Sequence, residues 1–182
     1  VYALMQDYKI AALGWGVDLK LKPYVSERQA AEDFKAGLCD AVSFTGTQSR
    51  EFNAFSGSLD AVGALSSYEH LKTVIGSISS EQARPLLVSE PYEVVGIIPM
   101  GAVYLFVNDR SLVVKHVDTQ GDLKDVRVAI MEGDPVQAEL IGFIGTSFEE
   151  SSIAEMYSKF NQGVVDVTYG PAVVYEAMEL YK

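Results

Sequence analysis

Residues 34–46 read Phe-Lys-Ala-Gly-Leu-Cys-Asp-Ala-Val-Ser-Phe-Thr-Gly, and residues 160–170 repeat the pattern as Phe-Asn-Gln-Gly-Val-Val-Asp-Val-Thr-Tyr-Gly. In both copies a Phe closes an amphipathic helical segment, and the Gly three residues later suits a helix end in the left-handed conformation. The Asp then opens a short apolar run that ends at a second Gly. Each copy therefore predicts a helix, a turn and a strand that delivers a loop at its carboxyl end.

Two such units predict two α/β lobes whose loops face one cleft, because ligands of open α/β sheets bind at the carboxyl ends of strands. The alternative is a single sheet that uses the same turn twice. The flanking patterns predict an alternation of helices and strands under helical cover. Helices are predicted over 2–13, 26–34, 66–79, 81–89, 135–142, 147–160 and from 171 onward, and strands over 18–24, 40–45, 92–108, 126–131 and 164–168. Two of these helices are predicted to begin with capping boxes, one at Ser26 with Gln29 and one at Ser147 with Glu150.

The composition restricts the classes of partner and site. The 182 residues carry a net charge of −11, which disfavours nucleic acid and anionic membranes as partners. No run approaches the ~20 apolar residues of a membrane span. The two histidines, His70 and His116, lack companions at metal-ligand or catalytic spacing, so we expect neither a metal site nor a His-based triad. The single cysteine, Cys39, is either a small buried apolar residue or a reactive thiol.

Motifs of catalysis and cofactor binding are missing. The chain contains no P-loop, no Gly-x-Gly-x-x-Gly after a strand, no Gly-x-Ser-x-Gly elbow and no His-Glu-x-x-His. Without a nucleophile–base pair or a cofactor cradle, an enzyme is the weaker hypothesis, and we expect no cofactor. The polar and aromatic stretch from Thr45 to Ser58 is interpreted either as a surface loop with its aromatic rings tucked under it or as a binding loop.

Three stretches resemble a known family. They are residues 27–40 (Glu-Arg-Gln-Ala-Ala-Glu-Asp-Phe-Lys-Ala-Gly-Leu-Cys-Asp), 55–63 (Phe-Ser-Gly-Ser-Leu-Asp-Ala-Val-Gly) and 102–110 (Ala-Val-Tyr-Leu-Phe-Val-Asn-Asp-Arg). They resemble DctP-type solute-binding proteins of TRAP transporters, in particular the AdeT-type branch. The resemblance implies an α/β, two-lobed periplasmic binding protein fold of type II, here without its first strand and its C-terminal part. It also implies a second cysteine near that strand, able to pair with Cys39.

The chain departs from the family pattern at two positions. The arginine that typically holds a substrate carboxylate is replaced by Ala129, while Arg127 lies two residues earlier and, by strand alternation, on the same face. Where the family often has Asn before Pro, this chain has Gly170 before Pro171. Either the solute is not a carboxylate, or the clamp is rebuilt elsewhere.

Arg50 is the predicted cation of a rebuilt clamp, because it follows the carboxyl end of the predicted strand 40–45 and its planar fork binds carboxylates at two points. The alternative is that Arg50 forms an exposed ion pair with Glu51, Asp60 or another carboxylate, which contributes little. The full set of predicted ligand contacts is Thr45, Thr47, Gln48, Arg50, Tyr104, Arg127 and Tyr169.

These observations predict a periplasmic, non-enzymatic binding protein that closes two lobes over a small molecule, anionic if Arg50 holds it, and that serves membrane transporter subunits. Residues 1–95 are assigned to lobe I, 96–170 to lobe II and 171–182 to the start of a crossing helix. The rival hypotheses are an enzyme on a similar scaffold and a structural or interaction protein derived from a binding protein. If the first strand is missing, the sheet that carries residues 18–45 should have an unpaired edge or a gap.

Overall fold

The computed structural model describes residues 2–61, 63–109, 112 and 123–181. Arg110 and His116 lie outside these ranges. The helices are α1 Tyr2–Leu13, α2 Glu27–Lys35, α3 Gly46–Ser49, α4 Ala54–Ser58, α5 Tyr68–Ile78, α6 Arg84–Leu87 (after a 3₁₀ turn, Glu81–Ala83), α7 Pro135–Ile144, α8 Ile153–Asn161 and α9 Val173–Ala177. The strands are β1 Val88–Ser89, β2 Tyr92–Glu93, β3 Val103–Val107, β4 Arg127–Met131, β5 Ser147–Ser151 and β6 Val167–Pro171.

A four-stranded mixed sheet dominates the second half of the chain. Its order is β3-β6-β4-β5, with β4 parallel to both β5 and β6 and with β3 antiparallel to β6. Helix α7 connects β4 to its neighbour β5, and α8 connects β5 to β6 on the other side of β4, since parallel strands need crossover connections. The carboxyl ends of β4, β5 and β6 therefore lie along one edge of this sheet.

Two apolar clusters cover the two faces of the sheet. Because side chains alternate along β4, Ala129 lies in a cluster with Met156, Tyr157 and Phe160 of α8, while Val128 and Ile130 face Ala138 and Ile141 of α7. Ala129 and Ile130 are completely buried. Ala129 is thus a packing residue beneath α8, a position at which an arginine would place a charge in the core.

The first half of the chain is organised around aromatic rings. Phe52 stacks on Phe44 at 5.1 Å and lies edge-on to Tyr92 at 5.0 Å, and Phe34 packs against both Phe52 and Tyr92. The stretch from Thr45 to Ser58 forms α3 and α4, with Phe52 buried beneath them. Buried Asn53 caps α4 and donates to the Leu86 carbonyl and Ser89 Oγ, which ties these helices to the β1–β2 hairpin.

The strands predicted over 18–24 and 40–45 are wrong, since neither segment pairs with another strand. The alternation of half-buried and exposed side chains that suggested these strands is nevertheless present in the structure. Leu19 and Leu21 are half-buried and Lys20 is exposed, and Val42 is half-buried beside exposed Ser43. No sheet carries residues 18–45, so the predicted gap or free edge has no counterpart there.

The repeated motif is confirmed in its helix and turn. Gly37 (φ 73°) and Gly163 (φ 69°) are both left-handed, and each amide donates to the carbonyl of the Phe three residues before it at 3.0 Å. Only the second copy continues into a strand of the sheet, β6. The two copies therefore share a helix end but not a strand.

Two of the predicted helix starts need correction. At Ser26 the hydroxyl caps the Gln29 amide, but the Gln29 side chain turns to Asp33, so only half of the box forms. The box predicted at Ser147 is wrong, because residues 147–151 form β5; the box forms at Ser152 with Glu155, where the same Ser-x-x-Glu pattern recurs.

Candidate functional site

A small cavity lies where residues 25–27 meet the carboxyl ends of β4 and β5. Its volume is only about 20 Å³, and it is partly open to solvent. Its lining residues are Val25, Glu27, Met131, Glu132, Ser151, Ser152 and Ile153. The sheet edge thus carries a concave site at the position where α/β proteins bind ligands. We call this cavity, together with the polar groups bonded around it, the cleft.

Hydrogen bonds join the two sides of the cleft. Ser26 Oγ donates to Glu132 Oε1 at 2.6 Å, across 106 residues of sequence. The Glu27 carboxylate receives both the backbone amide of Thr45, at 2.8 Å, and the Thr45 hydroxyl, at 2.7 Å. The N-terminus of α2 and the start of α3 are therefore fixed to each other and to the residue that follows β4.

Arg50 bridges the first half of the chain to the start of α7. Its Nε donates to the Gly57 carbonyl at 3.3 Å, and its Nη1 lies 3.6 Å from Asp134 Oδ1. Asp134 is buried and also caps α7 by accepting from the Gln137 amide. The arginine stem packs so closely on Gly57 that a Cβ there would lie 1.9 Å from Arg50 Cγ.

Asp60 lies close to this ion pair. Although the residue as a whole is exposed, its carboxylate packs against Gly46, where a Cβ would fall 1.9 Å from Oδ2. Loss of water around the carboxylate raises the pKa of Asp60, the nearby Arg50 guanidinium lowers it, and Asp134 raises it. The nearby Thr47 backbone also lowers the pKa of this carboxyl group.

Tyr169, on β6, lies at the edge of the sheet where the cleft is found. Its hydroxyl accepts from the Met131 amide at 3.2 Å, and its carbonyl accepts from the Tyr157 hydroxyl. Burial raises the pKa of the Tyr169 phenol, the bond from the Met131 amide lowers it, and the negative charge of Asp134 raises it further.

Four of the seven predicted contacts lie around the cavity, namely Thr45, Thr47, Arg50 and Tyr169, but none of the seven is among its lining residues. Gln48 instead donates to Glu51 on the exposed side of α3. Tyr104 lies opposite Gly170 in β3, with about half of its side chain exposed. For Arg50, the exposed pairing with Glu51 is not seen; its carboxylate partner is the buried Asp134.

Arg127 lies at the opposite end of β4 from the cleft, about 13 Å away at the rise of a strand. Its guanidinium binds both carboxylate oxygens of Asp166 and the Gly163 carbonyl. This ion pair lowers the pKa of Asp166. The residue ties the start of β4 to the turn before β6. Strand alternation predicted the face of the sheet on which Arg127 lies but not its distance from the cleft.

Several cleft residues escaped the sequence prediction: Val25, Glu27, Glu132, Asp134, Ser151 and Ser152. A signal for Glu132 and Asp134 was present, because both directly follow the buried strand 126–131, and the rule that singled out Arg50 applies to them equally. Glu27 had no comparable signal, since its role depends on the distant residue Thr45.

A two-lobed α/β fold with a cleft at the strand ends defines the class of periplasmic binding proteins. Superposition on solved structures of that class agrees with this assignment. A TRAP periplasmic solute-binding protein from Xanthobacter autotrophicus Py2, with bound β-D-galacturonate, superposes with a TM-score of 0.75 at 13% identity, over 97% of this chain and 58% of that one. An apo open TRAP protein from Escherichia fergusonii reaches 0.57 at 25% identity, over 99% and 60%. The fold class predicted from sequence is confirmed.

The family follows from the sequence comparison. Residues 4–182 match the family described as "Solute-binding protein AdeT 1/2". The "Probable solute-binding protein AdeT1" of Acinetobacter baumannii is 39% identical over 184 residues, covering 100% of this chain and 58% of its own length. The chain belongs to this family of solute-binding proteins and spans little more than half the length of that relative. Across the described residues, no helix has the length and apolar character needed to cross a bilayer.

Proposed function

We propose that this chain forms the ligand-binding cleft of a periplasmic solute-binding protein that delivers a small molecule to a TRAP-like membrane transporter. The observation that carries the proposal is the cavity between residues 25–27 and the ends of β4 and β5, which is apolar at Val25, Met131 and Ile153 and polar at its carboxylates and hydroxyls. Such a mixture suits a polar small molecule with some apolar surface. Family membership supports the same role.

Closure of the cleft is part of this proposal. Among the residues that the structure describes, the polar links between its two sides include Ser26 with Glu132 and Arg50 with Asp134. Two segments joined by a few polar contacts can separate at low energetic cost and close again over a solute. The assignment of residues 1–95 and 96–170 to separate lobes remains a prediction.

The test is a thermal-shift screen of polar solutes, including sugars, sugar acids, amino sugars and polyamines, because a bound ligand raises the unfolding midpoint. Val25 is 79% exposed, so Val25→Trp should fill the cavity mouth without disturbing a core. Val95, which is 91% exposed and does not line the cavity, provides the matched control Val95→Trp. A genuine solute loses its shift in the first variant and keeps it in the second. If no solute gives a shift that depends on Val25, the binding function is wrong.

One observation favours an enzyme as the second candidate: Ser26 Oγ lies 2.6 Å from the Glu132 carboxylate in the cleft. However, a carboxylate is a weak base toward an alkyl hydroxyl, and Ser26 is also engaged as the cap of α2. Native mass spectrometry separates the two functions. A binding protein returns its bound solute with unchanged mass after long incubation, whereas an enzyme returns a product.

A further inference from the structure

The Arg50 guanidinium already has a partner of opposite charge within the protein. Asp134 Oδ1 lies 3.6 Å from Nη1, and the Asp134 side chain is only 4% exposed. The carboxylate is held in place by the Gln137 amide, and the arginine stem is held by contact with Gly57. A carboxylate on an incoming solute would have to compete with this fixed internal carboxylate for the same cation.

The remaining charges of the cleft are negative. In the part of the chain that the structure describes, the cavity and the groups around it include the carboxyl groups of Glu27, Asp60, Glu132 and Asp134, against the one guanidinium of Arg50. Glu27 and Glu132 line the cavity itself. Charges near a protein surface interact more strongly than charges in bulk water, so this imbalance favours a solute of positive charge over one of negative charge.

Ala129 removes the other position from which a carboxylate clamp would be built. It is completely buried beneath α8, and Arg127 is bound to Asp166 at the far end of the strand. Neither position offers a cation to the cleft.

We propose that Asp134 determines the charge of the solute: by pairing with Arg50 it makes the cleft reject carboxylates and accept a solute that carries a protonated amine. This inference rests on the proposed solute-binding function and names its substrate class. The amine is received by the Glu27 and Glu132 carboxylates, while the apolar side chains of Val25, Met131 and Ile153 contact the carbon skeleton.

The experiment compares probes that share a carbon skeleton and differ in the charge of their substituents. Titration calorimetry is run with galactosamine, galactose and galacturonate, and with putrescine, butanediol and succinate as a second set. The test variant is Asp134→Asn, because Asn also caps helices well and α7 keeps its start. The control is Glu139→Gln, which removes one negative charge from an exposed position on the same helix.

We expect the wild type to bind the amine of at least one set more tightly than its neutral and acidic analogues. In Asp134→Asn the ratio of amine to carboxylate affinity should fall by at least about tenfold, equal to ~1.4 kcal/mol, and Glu139→Gln should leave it unchanged. Tighter binding of the carboxylates by the wild type would overturn the inference while supporting the binding function. An equal change in both variants would also overturn it, since the effect would then be one of net charge. Absence of any Val25-dependent binding would count against the function itself.

Discussion

Ser26 donates a 2.6 Å hydrogen bond to Glu132, a residue 106 positions further along the chain. The same serine oxygen accepts from the Gln29 amide and so caps α2. One hydroxyl therefore starts a helix in the first half of the chain and fixes that helix to the end of β4. The position of Glu27, the next residue, depends on this arrangement.

Removing the two partners separately distinguishes these roles. Ser26→Ala loses the cap and the cross-link and should lower the free energy of unfolding by about 1–2 kcal/mol. Glu132→Ala loses only the cross-link and should cost about 0.5–1.5 kcal/mol. The double variant should be little worse than Ser26→Ala, since the shared bond is lost once. Urea unfolding measures all three, and strict additivity would show that the bond does not stabilise the fold.

Gly57 should be required for the position of Arg50. A Cβ at residue 57 would lie 2.9 Å from Arg50 Cα as well as 1.9 Å from its Cγ, so backbone as well as side chain must move. We expect Gly57→Ala to cost about 1–3 kcal/mol of stability, because Arg50 and the backbone around it must move.

A second glycine provides the control for this prediction. Gly76 lies in α5, has open space around a built Cβ and needs no left-handed backbone. Gly76→Ala should be neutral or stabilise by up to about 1 kcal/mol through helix propensity. Unfolding midpoints measured side by side test the pair, and similar changes in both variants would mean that the contact with Arg50 has no influence.

The helix ends were predictable from sequence because they depend on nearby residues. Gly37 and Gly163 end their helices through bonds that reach only three residues back. Strands depend on partners that a local pattern does not identify. Val42 and Ser43 alternate in burial as a strand would, yet no neighbouring strand completes a ladder, so the segment is not a strand.

The candidate site shows the same limit. Arg50 was predicted because it follows a run of apolar residues, a local feature. Its partner Asp134 belongs to a different part of the fold, and only the packing of α3 against the start of α7 brings the two together. The sequence therefore indicated a cation in the cleft but not that its charge is already balanced.

Asp33 should contribute stability that is lost in acid. Its carboxylate accepts from Lys22 and Tyr24 at 2.6 Å and from Gln29 at 3.0 Å, and these bonds, chiefly that of Lys22, lower the pKa of Asp33 to about 2. Since the folded pKa lies below the ordinary value of 3.8, this stability is present above pH 3.8 and is lost as the pH falls toward 2.

The matched variants for this prediction are Asp33→Asn and Asp18→Asn, the second on the exposed segment before Lys22. Urea unfolding is measured across the window from pH 5 down to about pH 2.5, where the carboxylate titrates. Asp33→Asn should flatten the fall in stability that the wild type shows, and Asp18→Asn should not. An unchanged slope in Asp33→Asn would mean that other carboxylates dominate acid unfolding.

The glycine at position 170, where the sequence resemblance led us to expect Asn, should be explained by Tyr157. A Cβ at residue 170 would lie 2.4 Å from the Tyr157 hydroxyl oxygen and 3.0 Å from Val174 Cγ2, so the tyrosine occupies the space that a side chain would need. Gly170→Ala should therefore destabilise the fold by about 1–3 kcal/mol. Tyr157→Phe removes the clashing oxygen together with its 3.2 Å bond to the Tyr169 carbonyl, at a cost of about 0.5–1.5 kcal/mol.

The double variant decides whether this explanation is correct. With phenylalanine at residue 157, the atom of that ring closest to the new Cβ would be Cζ at 3.4 Å, an ordinary contact. The loss of stability in the Gly170→Ala and Tyr157→Phe double variant should thus be smaller than the sum of the two single losses, a coupling that a double-mutant cycle in urea measures directly. Additive losses would assign the need for glycine to Val174 or to the backbone of β6 instead of to the tyrosine hydroxyl.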